Sequence, residues 1–171
     1  MQASGAWYQQ KLELIDGELI DKARPKRPHV NALMSGMHRL ADVFGPYYIN
    51  LSAPVDVASQ DNPTNEPEPD LIILNRPSGE FKSNPQPADI TLLVEISDTS
   101  IRFDLNVKAR LYARAAIAEY WVLDLNARRL IVHRDPDPAG YRSVVAYSEL
   151  EKVAPQAAST SEILVSELIP A

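Results

Sequence analysis

ITLLVEIS (90–97), LNVKARLYARAA (105–116) and EYWVLDL (119–125) follow one another along the chain and decide its fold. The first run is the most strand-like in the sequence, because apolar and β-branched residues dominate it. The middle run has apolar residues at helical spacing: Leu105, Ala109, Tyr112 and Ala116. A short turn joins the third run to RRLIVHR (128–134). The sequence therefore predicts a strand, a helix and two further strands over residues 90–134.

Further elements precede and follow this unit. They are a hairpin at 12–20, an amphipathic helix from His29 to Phe44, a strand-like run at 47–57, a short buried strand at 70–74 and a small hairpin near Gly140. Asp16-Gly17 marks the first hairpin turn, since this dipeptide is typical of tight hairpins. This order predicts a mixed α/β (α+β) fold of three layers, with a central sheet flanked by helices.

Length and composition limit the class of protein. The 171 residues fit one domain, which we place at 1–150, followed by a polar, flexible C-terminal tail at 151–171 that ends in the apolar run ILVSELI. The chain has no cysteine, which excludes disulfides, zinc–thiolate sites, iron–sulfur clusters and cysteine nucleophiles. It has no apolar run long enough to span a membrane and no secretory signal pattern at its N-terminus. These features predict a cytoplasmic protein.

The charged residues are unevenly distributed. Seventeen basic against 23 acidic residues give a net charge of −6, which argues against a nucleic-acid binder. However, residues 22–39 contain five Lys or Arg and no acid, whereas residues 56–70 contain five acids and no Lys or Arg. Residues 102–114 are again basic. This pattern fits either solvated faces of alternating sign or a basic surface around a small acidic metal site.

Two acidic residues lie where buried strands are expected. Asp70 opens DLIIL, and Glu95 lies inside LLVEIS. A buried, ionised carboxylate is costly unless it is paired, hydrogen-bonded or bound to a metal. If the two strands are neighbours, their backbones are about 4.8 Å apart, so both carboxylates can bind one cation. Oxygen ligands of this kind suit Mg²⁺ or Mn²⁺.

The predicted helix after Glu95 adds a third group. Asp104, Lys108 and Tyr112 are spaced i, i+4, i+8 and share one helix face. Lys108 can reach the carboxylates, and a lysine beside a metal-bound water can orient the nucleophile or stabilise developing negative charge. The simpler interpretation of Glu95 and Lys108 is a structural ion pair. The simpler interpretation of Asp104 is an acid in the first helical turn that complements the helix dipole.

Several short motifs resemble one known family in their order. EPDLIIL, LLVEISDTS, the spacing of Asp104, Lys108 and Tyr112, and AEYWVLDLNARRLIVHR are similar to the Uma-type putative restriction endonuclease family of the PD-(D/E)XK nuclease superfamily. The resemblance runs from about Leu12 to Arg142. It implies a restriction-endonuclease-like core in which Asp70 is the motif aspartate and Glu95 the motif glutamate.

The sequence departs from the superfamily pattern at one position. Ser97 stands where most members of the superfamily have lysine, and the resemblance implies that Lys108 takes over the role of that lysine. Glu13 matches the family's N-terminal glutamate and either adds a carboxylate to the site or faces solvent on the hairpin. His29 matches a family histidine and either contacts phosphate or caps the helix. The family has more chain before this hairpin, which implies a short N-terminus here.

The resemblance implies a Mg²⁺- or Mn²⁺-dependent endodeoxyribonuclease. Asp70, Glu95 and the carbonyl of Ile96 would hold the metal, Lys108 would assist the attacking water, and Tyr112 would be accessory. The residues expected to bind DNA are Lys22, Arg24, Lys26, Arg27 and Arg102. By analogy we expect a homodimer. The alternatives are a catalytically inert nuclease-fold module that binds nucleic acid or protein, and an interaction module that uses the C-terminal ILVSELI.

Overall fold

One mixed sheet of six strands occupies the centre of the computed structural model, which describes residues 12–22 and 24–170. In spatial order its strands are β3 (Ile49–Leu51), β4 (Leu71–Leu74), β5 (Ile90–Ser97), β6 (Glu119–Asp124), β7 (Arg129–Asp137) and β8 (Gly140–Ser148). Only β5 and β6 pair in parallel. A parallel pair needs a crossover connection, and the predicted helix supplies it. The predicted strand–helix–strand–strand unit is therefore confirmed.

The crossover helix has three parts. A short α2 (Ile101–Phe103) leads into a π-helical turn (Asp104–Lys108), which continues as α3 (Ala109–Arg114). We call residues 101–114 the site helix. A π-helical turn inside an α-helix is rare and is frequently found at functional sites. Here it contains the buried Asp104 and Lys108.

Helices cover both faces of the sheet, as the three-layer prediction requires. On one face, α1 (Arg27–Phe44) packs through Ala32 and Leu40 against a core that includes Trp121. On the other face, the site helix packs through Leu111 and other apolar residues. Because both faces of the strands are covered, β4 and β6 are buried along their whole length.

The predicted N-terminal hairpin is present as β1 (Leu12–Ile15) and β2 (Glu18–Asp21). Its turn residues Asp16 and Gly17 both have positive φ, which is typical of the tight turn expected from this dipeptide. The hairpin forms its own two-stranded sheet. It is joined to the loop before β4 by a bridge between Leu14 and Glu66.

Three boundaries differ from the prediction. The strand expected over 47–57 is limited to β3, because Ser52 adopts positive φ and Pro54 follows it. The small hairpin near Gly140 is the turn of the long β7–β8 hairpin. The predicted tail forms β9 (Lys152–Val153) and β10 (Ile163–Leu164), and its apolar residues join the core around Trp121. Residues 151–170 are therefore packed, because these apolar side chains cover the α1 face of the sheet.

Parts of three predictions lie outside the described residues. The N-terminal stretch that lacks a secretory signal pattern includes 1–11, the basic stretch 22–39 includes Ala23, and the C-terminal tail ends at Ala171. In the described ranges, no helix has the length and apolar character needed to cross a bilayer.

Candidate active site

Asp70 and Glu95 come together because β4 and β5 are neighbours. Asp70 directly precedes β4, and Leu71 pairs with Val94 in the antiparallel register. The backbone N–H of Ile96 donates to Oδ2 of Asp70 at 2.8 Å, which fixes the orientation of this carboxylate. Both acids are buried, Glu95 with only 3% of its surface exposed. The sheet therefore holds the two acids side by side, as the sequence predicted.

Lys108 connects Glu95 to the hairpin. Its ammonium Nζ lies 2.8 Å from Oε1 of Glu95 and 2.8 Å from Oε2 of Glu13, and the residue is 1% exposed. The π-helical turn places this lysine on the inner face of the site helix. Glu13 also accepts a hydrogen bond from the backbone N–H of Glu68. The expectation that Glu13 faces solvent on the hairpin is therefore wrong, because β1 turns it towards Lys108.

The buried tyrosine of the site helix also reaches Glu95. The hydroxyl of Tyr112 donates to Oε1 of Glu95 at 3.3 Å. Burial raises the pKa of Tyr112 well above its usual value, so this hydroxyl keeps its proton. Within the described residues, both side-chain hydrogen bonds of Glu95 fall on Oε1. No side-chain hydrogen bond among these residues falls on its Oε2.

The pKa values of Asp70 and Glu95 move in opposite directions. Burial raises the pKa of Asp70, but the hydrogen bond from His29 and the charge of Lys22 outweigh it, so the pKa lies below its usual value. Burial raises the pKa of Glu95 to about 8 despite the attraction of Lys108. At neutral pH, Asp70 is therefore ionised and Glu95 is largely protonated. Such divergent pairs are typical of acid–base sites.

The net effect of its surroundings is to raise the pKa of Lys108. Burial lowers the pKa of its ammonium, but the charges of Glu95 and Glu13 outweigh this effect. Lys108 therefore remains a cation throughout the accessible pH range. It supplies a fixed positive charge beside the two glutamates.

A second buried network holds the start of the site helix. Asp104 accepts hydrogen bonds from the hydroxyls of Ser97 at 2.5 Å and Ser100 at 2.6 Å. Asp104 lies in the first turn of the π-helical segment, as the simpler interpretation has it, but its carboxylate is also buried between these serines. Burial raises its pKa. The spacing Ser97, Ser100, Asp104 in SDTSIRFD was the available sequence signal for this network.

A cleft of about 270 Å³ opens above these residues. Three of the five residues expected to bind DNA line it: Lys22, Arg24 and Lys26. Arg27 begins α1 and Arg102 lies on α2, and both are exposed outside the cleft lining. Asp98, which no sequence motif marked, also lines the cleft and pairs with Lys26 at 3.4 Å.

His29 contacts the motif aspartate. Its Nε2 lies 3.5 Å from Oδ1 of Asp70. The expectation that it caps α1 is wrong, because the cap position is Lys26 and no side chain caps that helix end. His29 therefore extends the site from α1 towards the cleft.

The oxygen donors at the floor of the cleft suit a hard cation. Asp70 and Glu95 are on neighbouring strands and line the same cleft, as does Ile96. Among residues 12–22 and 24–170, no three His, Asp or Glu side chains are already arranged around a common metal position. The ammonium of Lys108 lies between Glu13 and Glu95 instead.

The raised pKa of Glu95 predicts a pH-dependent stability. Between pH 4.5 and about pH 8, the folded protein keeps a proton on Glu95 that the unfolded chain releases. The free energy of unfolding should therefore fall as pH rises through this window, by at most about 1.4 kcal/mol per pH unit from this group. Urea denaturation at a series of pH values measures the slope. Glu95→Gln should remove this part of it.

The comparison isolates Glu95 because the variant keeps Asp104, whose pKa is also raised. Glu80→Gln, on an exposed loop residue, is the matched control and should keep the wild-type slope. Parallel pH profiles for wild type and Glu95→Gln would contradict the assignment.

Comparison with known proteins gives two matches. The family model Uma2, described as "Putative restriction endonuclease", matches residues 5–164. A crystal structure described as a putative nuclease belonging to DUF820 from Anabaena variabilis ATCC 29413 has a TM-score of 0.66 and 15% identity, and the match covers 92% of this chain and 89% of that one. No curated protein matches this chain. The structural likeness shows the fold, and the family match indicates a nuclease.

Proposed function

This chain belongs to the Uma2 family of putative restriction endonucleases, and from that premise we propose that it is a metal-dependent endonuclease that hydrolyses phosphodiester bonds of DNA. The observation that carries the proposal is the meeting of Asp70, Glu95 and Lys108 at the floor of one cleft. Cationic side chains line the entrance to this cleft. Acidic groups at the floor and basic groups at the rim match a metal and a polyanionic substrate.

The proposed metal ligands are Asp70, Glu95 through its Oε2, and the carbonyl of Ile96. A bound Mg²⁺ or Mn²⁺ would polarise the scissile phosphate and lower the pKa of a water molecule. Glu95 must be ionised to act as a ligand, so occupancy of the site releases its proton. Asp70 is already ionised, because His29 and Lys22 stabilise its charged form.

Lys108 is proposed to act on the attacking water and on the charge that develops at the phosphate. Its ammonium is rigidly held by Glu95 and Glu13, and its position is set by the π-helical turn. A fixed cation in a buried site stabilises developing negative charge without reorganisation. Glu13 is a positioning residue for Lys108, since its carboxylate contacts Nζ directly.

The proposed substrate is DNA, and the proposed location of the protein is the cytoplasm. The DNA phosphates would follow Lys22, Arg24 and Lys26 along the cleft, with Arg27 and Arg102 on the flanking surfaces. Contacts with phosphates give affinity that falls as salt concentration rises. A homodimer is proposed as the working unit.

We expect purified protein with Mg²⁺ or Mn²⁺ to cut plasmid DNA, and Asp70→Asn to lose this activity. Titration calorimetry should show metal binding that Asp70→Asn weakens by at least about 10–100-fold, because even outer-shell changes cost that much. Asp42→Asn, on an exposed residue of α1, is the matched control and should bind metal like the wild type.

If the wild type neither cleaves DNA nor gives a binding signal when titrated with metal in the calorimeter, the alternative is favoured: an inert nuclease-fold module that binds nucleic acid or protein. One observation supports keeping this alternative: the ammonium of Lys108 already contacts both Glu13 and Glu95 at 2.8 Å, where a cation would otherwise lie. DNA binding that persists in Asp70→Asn without any metal heat in the wild type would identify such a module. Cleavage by the wild type would reject it.

A further inference from the structure

The outer side of the site helix is basic and contains no acid. Its exposed residues are spaced four apart and form a ridge along the helix: Arg102, Asn106, Arg110 and Arg114. Residues at this spacing lie on one helix face. A like-charged pair such as Arg110 and Arg114 weakens an isolated helix, so helix stability does not account for the ridge. We call these four residues the arginine ridge.

Two arginines of the ridge have no acidic partner among residues 12–22 and 24–170. Arg114 pairs with Asp61 at 3.0 Å. Arg102 and Arg110 form no ion pair within these ranges. The side chain of Asn106 donates to the backbone carbonyl of Arg102. The guanidinium groups of Arg102 and Arg110 can therefore bind an anion without breaking an ion pair of the described chain.

The site helix forms a wall of two separate depressions. The first is the cleft, which the helix lines with Phe103, Asp104 and Lys108. The second is a groove of about 410 Å³ between the helix and strands β7 and β8, which the helix lines with Leu105, Ala109 and Arg110. The two depressions share no lining residue. The helix therefore separates the groove from the cleft.

The groove is basic, like the cleft. Arg110 lies on its helix side and Arg129 of β7 also lines it. Arg129 pairs with Asp124 at 3.0 Å, so the unpaired positive charge of the groove comes from Arg110. Among the described residues that line the groove, none is acidic. Because three cationic residues also line the cleft, the helix has basic side chains on both flanks as well as along its ridge.

We propose that the site helix lies in the major groove of duplex DNA. Arg102 and Asn106 then face the base edges, Arg110 and Arg129 contact the phosphates of one strand, and the other strand enters the cleft. The helix fits this position, because an α-helix with its side chains is about 10–12 Å across and the major groove of B-DNA is about 12 Å wide. The proposal rests on the proposed nuclease function and names the form of nucleic acid that the site receives.

The chemistry of the ridge favours DNA over other anionic partners. Arginine binds guanine O6 and N7, and asparagine binds adenine N6 and N7, in the major groove. A single strand has no major groove, and the major groove of duplex RNA is too deep and narrow for side chains to read. The ridge is therefore expected to contribute to the binding of duplex DNA and not to the binding of a single strand or of duplex RNA.

Arg110→Gln is expected to weaken the binding of duplex DNA about fivefold at 0.15 M salt and to lower the slope of log K against log salt by about 1, because it removes one phosphate contact. Arg102→Gln should also weaken this binding. Fluorescence anisotropy without divalent metal measures the effect on a labelled DNA duplex, on one of its strands and on an RNA duplex of the same sequence. Binding of the last two should change by less than about twofold in both variants.

Arg39→Gln is the matched control, since it removes the same charge from an exposed residue of α1, on the opposite face of the sheet. It should bind all three nucleic acids like the wild type. Unchanged binding of duplex DNA by Arg110→Gln would overturn the proposal. An equal loss on the duplex and on the single strand, or a larger loss on duplex RNA, would overturn it as well.

The binding measurement uses neither metal nor cleavage, so it can fail independently of the nuclease proposal. Cleavage by the wild type together with unchanged duplex binding by Arg110→Gln would reject the role of the ridge and keep the nuclease. Loss of duplex binding in Arg110→Gln, in a protein that cuts no DNA with Mg²⁺ or Mn²⁺, would support the ridge and reject the nuclease.

Discussion

Replacing Glu95 with glutamine is expected to lower the rate of metal-dependent DNA cleavage by about 10²–10³-fold or more. Glutamine has the shape of the protonated carboxyl, and Glu95 is largely protonated at neutral pH because burial raises its pKa to about 8. The side chain can still accept a hydrogen bond from Lys108. The variant should therefore fold, and its defect should lie in holding the cation.

Cleavage of plasmid DNA over time measures this effect, and titration calorimetry with Mn²⁺ tests its cause. Both the rate and the metal affinity should fall in Glu95→Gln, whereas Glu80→Gln should match the wild type in both. Unfolding by urea at neutral pH checks that the fold is retained. If Glu95→Gln cleaved DNA at the wild-type rate, Glu95 would not be a metal ligand, and the proposed mechanism would be contradicted.

The proximity of Asp70, Glu95 and Lys108 could be predicted in part, because the strands, the buried acids and the helix each leave a local pattern in the sequence. Apolar runs predict β4 and β5, an acid inside such a run indicates a specific partner, and helical spacing sets the direction of Lys108. The resemblance to a nuclease family then assigned Asp70 and Glu95 to the positions of the motif aspartate and glutamate. Strand pairing then followed from the fold, and the structure has β4 beside β5.

The position of Glu13 could be narrowed but not fixed from the sequence. The hairpin turn was predictable from Asp16-Gly17, but alternation alone does not say which face of a two-stranded hairpin is buried. That face depends on contacts with a loop far along the chain, such as the bridge from Leu14 to Glu66. The burial of Asp104 was missed for a similar reason, since its serine partners lie on β5 and in the connecting loop.

The C-terminal segment shows how polar composition conceals packing. Apart from the run ILVSELI, its apolar residues are few and scattered among polar ones, so no periodic pattern marks residues 151–170 as part of the core. The sign that this segment packs on the sheet lies on another element, in Glu119, the acid that opens EYWVLDL. Glu119 is 1% exposed, and its Oε1 accepts hydrogen bonds from the indole N–H of Trp121 and from the guanidinium of Arg134.

The same carboxylate fastens the C-terminal segment to the sheet. Oε2 of Glu119 accepts the backbone N–H of Gln156 at 2.7 Å, and Arg134 donates to the carbonyl of Ala154 at 2.6 Å. Removing one partner of a buried ion pair leaves the other charge uncompensated. Glu119 therefore lies at the point where β6, β7 and the C-terminal segment meet.

Glu119→Ala is expected to lower the free energy of unfolding by about 3–5 kcal/mol, because it leaves the Arg134 charge and two N–H groups without their acceptor. Urea denaturation measures the loss, and trypsin should cleave at Lys152 faster than in the wild type. Glu149→Ala is the matched control: its pair with Arg128 is half-exposed, so it should cost at most about 1 kcal/mol. Equal losses in the two variants would show that burial of Glu119 does not secure the segment.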